Sequence, residues 1–262
     1  FENSYKTMDI NFMESVIWAF KELYKKGLVY QAMRVMPYSW AAETPLSNFE
    51  TRLDNSYRER ADKAVTVTFS LIEPNASLPK GCTEYKIMAW TTTPWTLPSN
   101  LALAVNPEMD YAYVVKDNVC YILADFAVKT YANELAAESA NGKIKGSQLV
   151  GLKYKPILPY FENHANSFVV LGGDFVVEGD GTGVVHMAPG FGEDDQILCE
   201  KNNIELVCPV DSQGKFTKEV TDFAGLNVFD ANDEIIKKLK LLGSWVKTEQ
   251  YLHNYPHCWR TD

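Results

Sequence analysis

The stretch that decides the fold is YKIMAWTTTPWTLPSN, residues 85–100, in which an apolar and aromatic run leads into a threonine-rich loop. Residues 85–90 have the side chains typical of a strand. Pro94 and Pro98 then restrict the backbone, which holds the threonines and Asn100 on a stiff loop. Hydroxyl and amide groups on such a loop can bind a ribose, a carbonyl or a water molecule. Composition alone favours the alternative, a polar turn whose threonines hydrogen-bond their own backbone.

A second segment with chemical potential is GDGTGVVHMAPGFGEDD, residues 179–195. Glycine-rich loops before helices often bind phosphate, but three carboxylates crowd this one and the lysine of a P-loop is missing. A cation such as the α-ammonium of an amino acid suits it better. Stabilisation of the helix dipole accounts for Glu193 and Asp194. For His186 two roles are left open, a packed residue and an acid–base group. No serine or cysteine has the context of a nucleophile elbow.

The sequence around these motifs predicts short strands and scattered helices without a regular βαβ alternation. Further strands are predicted at residues 65–69, 111–115, 120–124, 168–171 and 183–186. Helices are predicted at residues 11–27, with Asn11 as N-cap and Gly27 as stop, at about 129–139, from about 193, and at 230–242. The fold class that follows is mixed α/β, with a barrel-like β core and peripheral helices.

Composition limits the partners. The chain of 262 residues is 46% hydrophobic, enough for a sizeable core, and carries a net charge of −9. So acidic a chain should not grip a nucleic-acid duplex, although it could contact a few nucleotides. No apolar run approaches the roughly 20 residues that span a bilayer, so we expect no membrane partner. The first residues, FENSYK, lack an initiator Met and a signal peptide, which predicts a fragment or a processed product.

The cysteines indicate a reducing compartment. There are five, an odd number, and no two form a CxxC pair. His253, His257 and Cys258 lie close together, but a structural zinc site needs a fourth ligand with paired spacing. We therefore expect no metal.

The two motifs closely resemble the editing domain shared by the isoleucyl-, valyl- and leucyl-tRNA synthetases. WTTTPWTLPSN, residues 90–100, is similar to the threonine-rich editing motif of that family. GTGVVHMAPGFGEDD, residues 181–195, is similar to its aspartate-bearing motif, and both occur in the family's order. The resemblance extends from residues 5–30 and 44–57 to YPHCWR at residues 255–260, and so covers nearly the whole chain.

Details within the motifs resemble the isoleucyl branch. The valyl branch usually has a basic residue in place of His186, and the leucyl motif usually has arginine and aspartate in place of Thr93 and Trp95. Phe191, where bacterial isoleucyl enzymes tend to have histidine, resembles a eukaryotic cytoplasmic enzyme. The His-x-Gly-His and KMSKS-like signatures of the ligase site are absent from this sequence. The resemblance thus implies an N-terminal arm with an amphipathic helix at 1–50, an editing domain at 51–245, and a return arm toward the catalytic domain at 246–262.

The function implied is hydrolytic editing of valine mischarged onto tRNA(Ile), with Val-AMP as a second candidate substrate. A synthetic site separates isoleucine from valine by one methylene only, and this pair is the established example in which a second, smaller site removes the error. The resemblance implies that the nucleophile is water, that this domain needs no cofactor, and that ATP and Mg belong to the parent catalytic domain. It leaves open two alternatives: the editing domain of a valyl or leucyl enzyme, and a catalytically silent module that binds tRNA ends.

The same resemblance assigns roles to residues. Asp195, Thr92 and His186 would form the catalytic set, with Asp195 anchoring the α-ammonium. The substrate-binding set would be Trp90, Thr91, Thr92, Thr93, Thr96, Asn100, His186 and Asp195. The expected partners are the 3′ end of tRNA(Ile) carrying valine and the rest of the synthetase chain. We expect the isolated domain to be a monomer in the cytoplasm.

Overall fold

The computed structural model describes residues 4–179 and 181–261. The chain packs as two compact units, Phe1–Arg34 and Val35–Asp262. Residues 1–3 lie outside the described residues. They belong to the expected N-terminal arm and to the segment for which no signal peptide is predicted. The domain boundaries at residues 50 and 245 stay a prediction.

The first unit contains one helix among its described residues, α1 (Ile10–Lys25). It begins slightly before the predicted start, with Asp9 as N-cap instead of Asn11, and neither a side-chain cap nor the predicted capping box is present. Gly27, with φ of +70°, ends it as predicted, because its N–H donates to the Tyr24 carbonyl at 2.9 Å. The apolar side chains of α1 are exposed, among them Met13, Val16, Ile17, Phe20, Leu23 and Tyr24.

The second unit is built on strands with three further helices among the described residues. The strands are β1 (Tyr38–Ser39), β2 (Thr44–Pro45), β3 (Tyr57–Ser70), β4 (Glu84–Thr91), β5 (Ala102–Val105), β6 (Asp110–Lys116), β7 (Val119–Ala124), β8 (Gly142–Lys145), β9 (Val169–Gly172), β10 (Val185–Met187) and β11 (Trp245–Pro256). The helices are α2 (Ala132–Leu135), α3 (Glu193–Lys201) and α4 (Val228–Leu241).

Two sheets form the β core. The larger has the order β11-β3-β4-β7-β6-β8, in which only the β4–β7 pair is parallel. The smaller has the order β10-β5-β9. The mixed α/β class with peripheral helices is confirmed, whereas the barrel-like core is not. Both sheets have free edges, and the described residues form no closed barrel.

Several predicted elements change length for local reasons. The predicted helix at 129–139 shrinks to α2, because Ala136 adopts the left-handed conformation with φ of +51° and stops it. The predicted strand at 183–186 moves to β10, because Gly183 has φ of +68°. Strand β11 was not predicted, although it pairs with β3 from Trp245 to Pro256, with an irregularity near its start. A 3-10 turn at Pro94–Ser99, also not predicted, follows β4.

Strand β5 positions the two motifs relative to each other. It leaves the threonine loop, is buried along its whole length, and pairs antiparallel with β10, which carries His186. The main apolar core surrounds it, with Phe69, Leu103, Tyr154 and Met187 among its members. Because β5 is buried, the pairing that joins the motifs forms in the interior of the unit.

Among the described residues, no helix combines the length and apolar character needed to cross a bilayer.

Candidate functional site

The threonine loop is held largely by its own hydrogen bonds. The Thr91 hydroxyl accepts the Thr93 N–H at 3.1 Å, and the Thr96 hydroxyl donates to the Thr93 carbonyl at 2.8 Å. The three hydroxyl groups also lie in sequence, with Thr91 to Thr93 at 3.1 Å and Thr93 to Thr96 at 3.2 Å. The self-bonded turn that composition favours therefore exists, and it forms a continuous row of hydroxyl groups.

The second motif meets this row at His186. Its Nε2 lies 2.8 Å from the Thr96 hydroxyl, across 90 residues of sequence. Both side chains are buried, at 7% exposure for His186 and 5% for Thr96. The pairing of His186 with Leu103 in the β10–β5 ladder produces this contact, since it carries the end of one motif to the turn of the other.

The proton on His186 can be placed from its neighbours. The Asn100 amide nitrogen donates to the Ala102 carbonyl at 2.8 Å and makes a longer contact of 3.5 Å with His186 Nδ1. A nitrogen facing an amide NH₂ is an acceptor, so the proton lies on Nε2 and is donated to Thr96. Burial lowers the pKa of His186 to about 4. The ring is therefore neutral near pH 7, and neither nitrogen faces open space.

Asp195 contacts the backbone just beyond the end of β10, the strand that carries His186. It is the third residue of α3, and its Oδ2 accepts the Ala188 N–H at 2.8 Å, two residues after His186. Burial raises the pKa of Asp195, the Ala188 N–H opposes this shift, and the charge of Asp194 adds to it. Among the described residues, no basic side chain forms an ion pair with Asp195. A half-buried carboxylate with one backbone donor can accept a cation.

A glycine makes room for this carboxylate. A Cβ on Gly192 would lie 2.7 Å from Asp195 Cγ and 2.9 Å from each carboxylate oxygen. A side chain at position 192 would therefore displace the carboxylate from the first turn of α3. This close approach explains why the motif has glycine directly before its acidic cluster.

An aromatic contact also joins the two motifs, and a hydrogen bond connects the threonine loop to α4. The rings of Trp95 and Phe191 meet edge to face with centroids 4.8 Å apart. The Trp95 N–H donates to Asn232 on α4 at 3.0 Å. Sequence reasoning did not find Asn232, because nothing in its local pattern separates it from other polar residues of an amphipathic helix.

Two predicted residues stand apart from the hydroxyl row. Thr92 is half-buried, and among the described residues its hydroxyl has no hydrogen-bond partner. Trp90 points to the face of β4 opposite Thr91, as alternation along a strand requires. Its Nε1 donates to Glu249 at 3.3 Å and its ring meets that of Tyr251 at 5.0 Å. The structure thus connects Thr91, Thr93, Thr96, Asn100 and His186, and places Trp90 elsewhere.

Other features of the chain are formed by residues outside both motifs. A surface pocket of about 480 Å³ is lined by Trp40, Ala41, Glu43, Gln213, Lys215, Asn227, Phe229 and Asp230. Within the described ranges, no group of three or more His, Cys, Asp or Glu residues is placed to hold a metal ion. His253 instead pairs with Asp62 at 2.9 Å, and all five cysteines are free. The absence of a metal site stays a prediction.

Comparison with known proteins identifies the family. Residues 1–252 match the model of the class I tRNA synthetases for I, L, M and V. The chain belongs to this family. It is 72% identical over 264 residues to the isoleucine–tRNA ligase of Rickettsia africae, and 65% identical over 275 residues to that of Rickettsia prowazekii. Both matches cover the whole chain, which spans about a quarter of the length of these relatives (24% and 25%).

Solved structures share the fold. The crystal structure of GlLeuRS-CP1 matches 71% of this chain and 98% of its own, with a TM-score of 0.55 at 16% identity. The editing domain of the P. falciparum cytosolic leucyl-tRNA synthetase matches 73% of this chain and 99% of its own, with a TM-score of 0.51 at 13% identity. The prediction of a synthetase editing-domain fold is confirmed. The relatives named above are bacterial and do not support the eukaryotic cytoplasmic type predicted from Phe191.

Proposed function

We propose that this chain is the editing part of an isoleucine–tRNA ligase and hydrolyses the ester of valine mischarged onto tRNA(Ile). The observation that carries the proposal is the meeting of the two motifs, at 2.8 Å between Thr96 and His186. The Asp195 carboxylate, which has no ion-pair partner among the described residues, accepts the N–H of Ala188, two residues after His186. Identity of 72% to an isoleucine–tRNA ligase favours the isoleucyl branch over the valyl and leucyl alternatives.

In this mechanism Asp195 anchors the substrate. Its carboxylate forms an ion pair with the α-ammonium of valine, which stabilises the charged form that burial disfavours. The Thr92 hydroxyl, which has no intramolecular partner in the described ranges, bonds the aminoacyl group or the terminal ribose. A water molecule then attacks the ester carbonyl, the carbonyl carbon–ribose oxygen bond breaks, and free valine and uncharged tRNA leave.

His186 and Thr96 form a wall instead of a proton relay. Both ring nitrogens of His186 face protein groups, Nε2 toward Thr96 and Nδ1 toward Asn100. The ring is neutral near pH 7, which makes it a poor acid there. Because the core side of this wall is fixed by hydrogen bonds, it cannot easily yield to the extra methylene of isoleucine. The size limit of the site would therefore come from these two side chains, and the catalytic role predicted for His186 becomes one of shape and position.

The partners follow from the same proposal. The net charge of −9 suits a domain that accepts only the single-stranded 3′ end of tRNA(Ile), while the rest of the synthetase holds the tRNA body. The exposed apolar side chains of α1 suit contact with that remaining part. We expect a cytoplasmic protein, as for other participants in translation, and the Rickettsia relatives favour a bacterial source over the eukaryotic one.

The test is hydrolysis of Val-tRNA(Ile) and Ile-tRNA(Ile) by the 262-residue chain, with Asp195→Ala as control. We expect loss of valine alone, abolished in the variant. The same pair is then measured in the Rickettsia africae ligase with this segment exchanged for its counterpart. The proposal is overturned if neither the isolated chain nor the exchanged ligase hydrolyses either ester. Saturable binding without turnover would favour the silent module.

A further inference from the structure

A buried tyrosine outside both motifs ends the hydrogen-bond chain of the site. Tyr154 has 0% of its surface exposed, and its hydroxyl donates to Asn100 Oδ1 at 2.7 Å. Its ring is packed edge to face between Phe69 and Phe168, with centroids 5.1 Å and 5.9 Å away. Burial raises the pKa of Tyr154 well above its usual value. The hydroxyl therefore keeps its proton and acts as a fixed donor.

Tyr154 decides which end of the Asn100 amide faces the site. Because Oδ1 accepts from the tyrosine, the NH₂ group turns toward the Ala102 carbonyl and His186 Nδ1. An amide held at both ends cannot rotate without leaving a buried polar atom unpaired, which costs about 1–3 kcal/mol. The position of the NH₂ group beside His186 thus depends on a residue 54 positions later in the chain.

All donations in this chain run in one direction, from the core to the loop. Tyr154 donates to Asn100, whose NH₂ faces His186, and His186 then donates to Thr96. Thr96 in turn donates to the Thr93 carbonyl. We propose that Tyr154 is a positioning residue that fixes the tautomer of His186 and the direction of the Thr96 hydroxyl; its effect on turnover rests on the editing function proposed above.

The test compares Tyr154→Phe with Tyr131→Phe. Tyr131 is a matched control, since it is also buried and its hydroxyl lies 2.8 Å from that of Thr66, outside both motifs. The first measurement is ¹⁵N NMR of the His186 ring in the 262-residue chain. Protonated and unprotonated ring nitrogens resonate far apart, so the tautomer is read directly. We expect a single tautomer with the proton on Nε2 in the parent and in Tyr131→Phe, and a mixture in Tyr154→Phe.

The second measurement is the kinetics of valine release. In Tyr154→Phe we expect kcat to fall about 10-fold with KM within about 2-fold. The Thr96 hydroxyl no longer holds the Thr93 carbonyl in one position, so the threonine loop orients the ester less well, while the anchor at Asp195 is unchanged. Tyr131→Phe should change neither. The effect of Tyr154→Phe should also disappear in an Asn100→Ala background, since the tyrosine acts through the amide.

These readouts separate the two proposals. If the parent chain and the exchanged ligase release no valine, the editing function fails, while the NMR comparison still decides the role of Tyr154. If Tyr154→Phe keeps a single Nε2-protonated tautomer and matches Tyr131→Phe in kcat, the positioning role is overturned. If Tyr154→Phe does not fold, Asn100→Ala alone is measured, and an unchanged His186 tautomer there overturns the role as well.

Discussion

The two sides of the candidate site differ in how their polar groups are satisfied. On the His186 side, a chain of polar groups runs from Tyr154 to Thr93, and each member of this chain contacts another protein group. On the Asp195 side, the carboxylate has one backbone donor. Thr92, in the threonine loop, likewise has a hydroxyl without an intramolecular partner in the described ranges. A satisfied network gains nothing from a ligand and gives rigidity, whereas an incompletely paired carboxylate gains from one. The first side therefore shapes the site and the second binds.

The pKa directions agree with this division. Burial lowers the pKa of His186 and raises that of Asp195, so in the free protein it shifts both groups toward the neutral form. For His186, the neutral form is also the one that its neighbours require. For Asp195, the neutral form is opposed by the Ala188 N–H and would be opposed further by an ammonium ion.

The largest effect should come from neutralising the binding side. Asp195→Asn keeps an oxygen for the Ala188 N–H but removes the charge that pairs with the α-ammonium, so kcat/KM for Val-tRNA(Ile) should fall about 100-fold or more. Asp194→Asn is the matched control, one residue away on the same helix end and exposed, and should lose less than about 3-fold. Equal losses in the two variants would mean that the overall negative potential matters and not an anchor at Asp195.

Stability measurements separate this loss from unfolding. The folded-state pKa of Asp195 is raised, so its ionised form at neutral pH weakens the fold of the free protein. Asp195→Asn should therefore be at least as stable as the parent in urea at pH 7. For the same reason, kcat/KM of the parent should begin to fall on acidification at a higher pH than the ordinary aspartate value of 3.8 would give. A clearly destabilised Asp195→Asn would contradict the raised pKa.

A smaller effect is expected on the stability of the shaping side. His186 has a pKa of about 4 in the folded chain and 6.5 as its ordinary value, so the unfolded chain takes up a proton first as the pH falls. The free energy of unfolding should therefore decrease between about pH 6.5 and pH 4, by up to about 3 kcal/mol from this group. His186→Gln should lose this part of the pH dependence, measured by urea unfolding at both pH values. His164→Gln, at a half-buried histidine in a surface turn, should keep it; identical slopes in the two variants would contradict the burial effect.

The fold was predictable where side-chain alternation and turn residues agree. The strand cores at 65–69, 111–115 and 120–124 all lie within observed strands, and α3 begins at Glu193 as predicted. Strand β11 was not found, because its side chains alternate between exposed and half-buried and carry many polar groups. Its place in the sheet comes from pairing with β3, which a local pattern cannot show.

The candidate site was predictable as two segments but not as a geometry. Their motifs identify Thr96, His186 and Asp195 by type, while the contact of Thr96 with His186 depends on the β5–β10 pairing. Tyr154 has no sequence signal, since it stands between Lys153 and Lys155 and nothing local shows that it is buried. Trp90 belongs to the motif by sequence, and the pleat of β4 turns it to the other face of the sheet.

The smallest effect is therefore expected at Trp90, where sequence and geometry disagree. Trp90→Phe keeps an aromatic ring against Tyr251 and beside Gly181, where a Cβ added to the glycine would lie 3.0 Å from Trp90 Cβ. The substitution removes the donor to Glu249. Because neither contact reaches the hydroxyl row, kcat and KM for Val-tRNA(Ile) should stay within about 2-fold of the parent, with less than about 1.5 kcal/mol lost in urea unfolding. A KM raised 10-fold with unchanged stability would instead show that the tRNA end reaches the β11 side of the sheet, and the binding surface would then include both faces of β4.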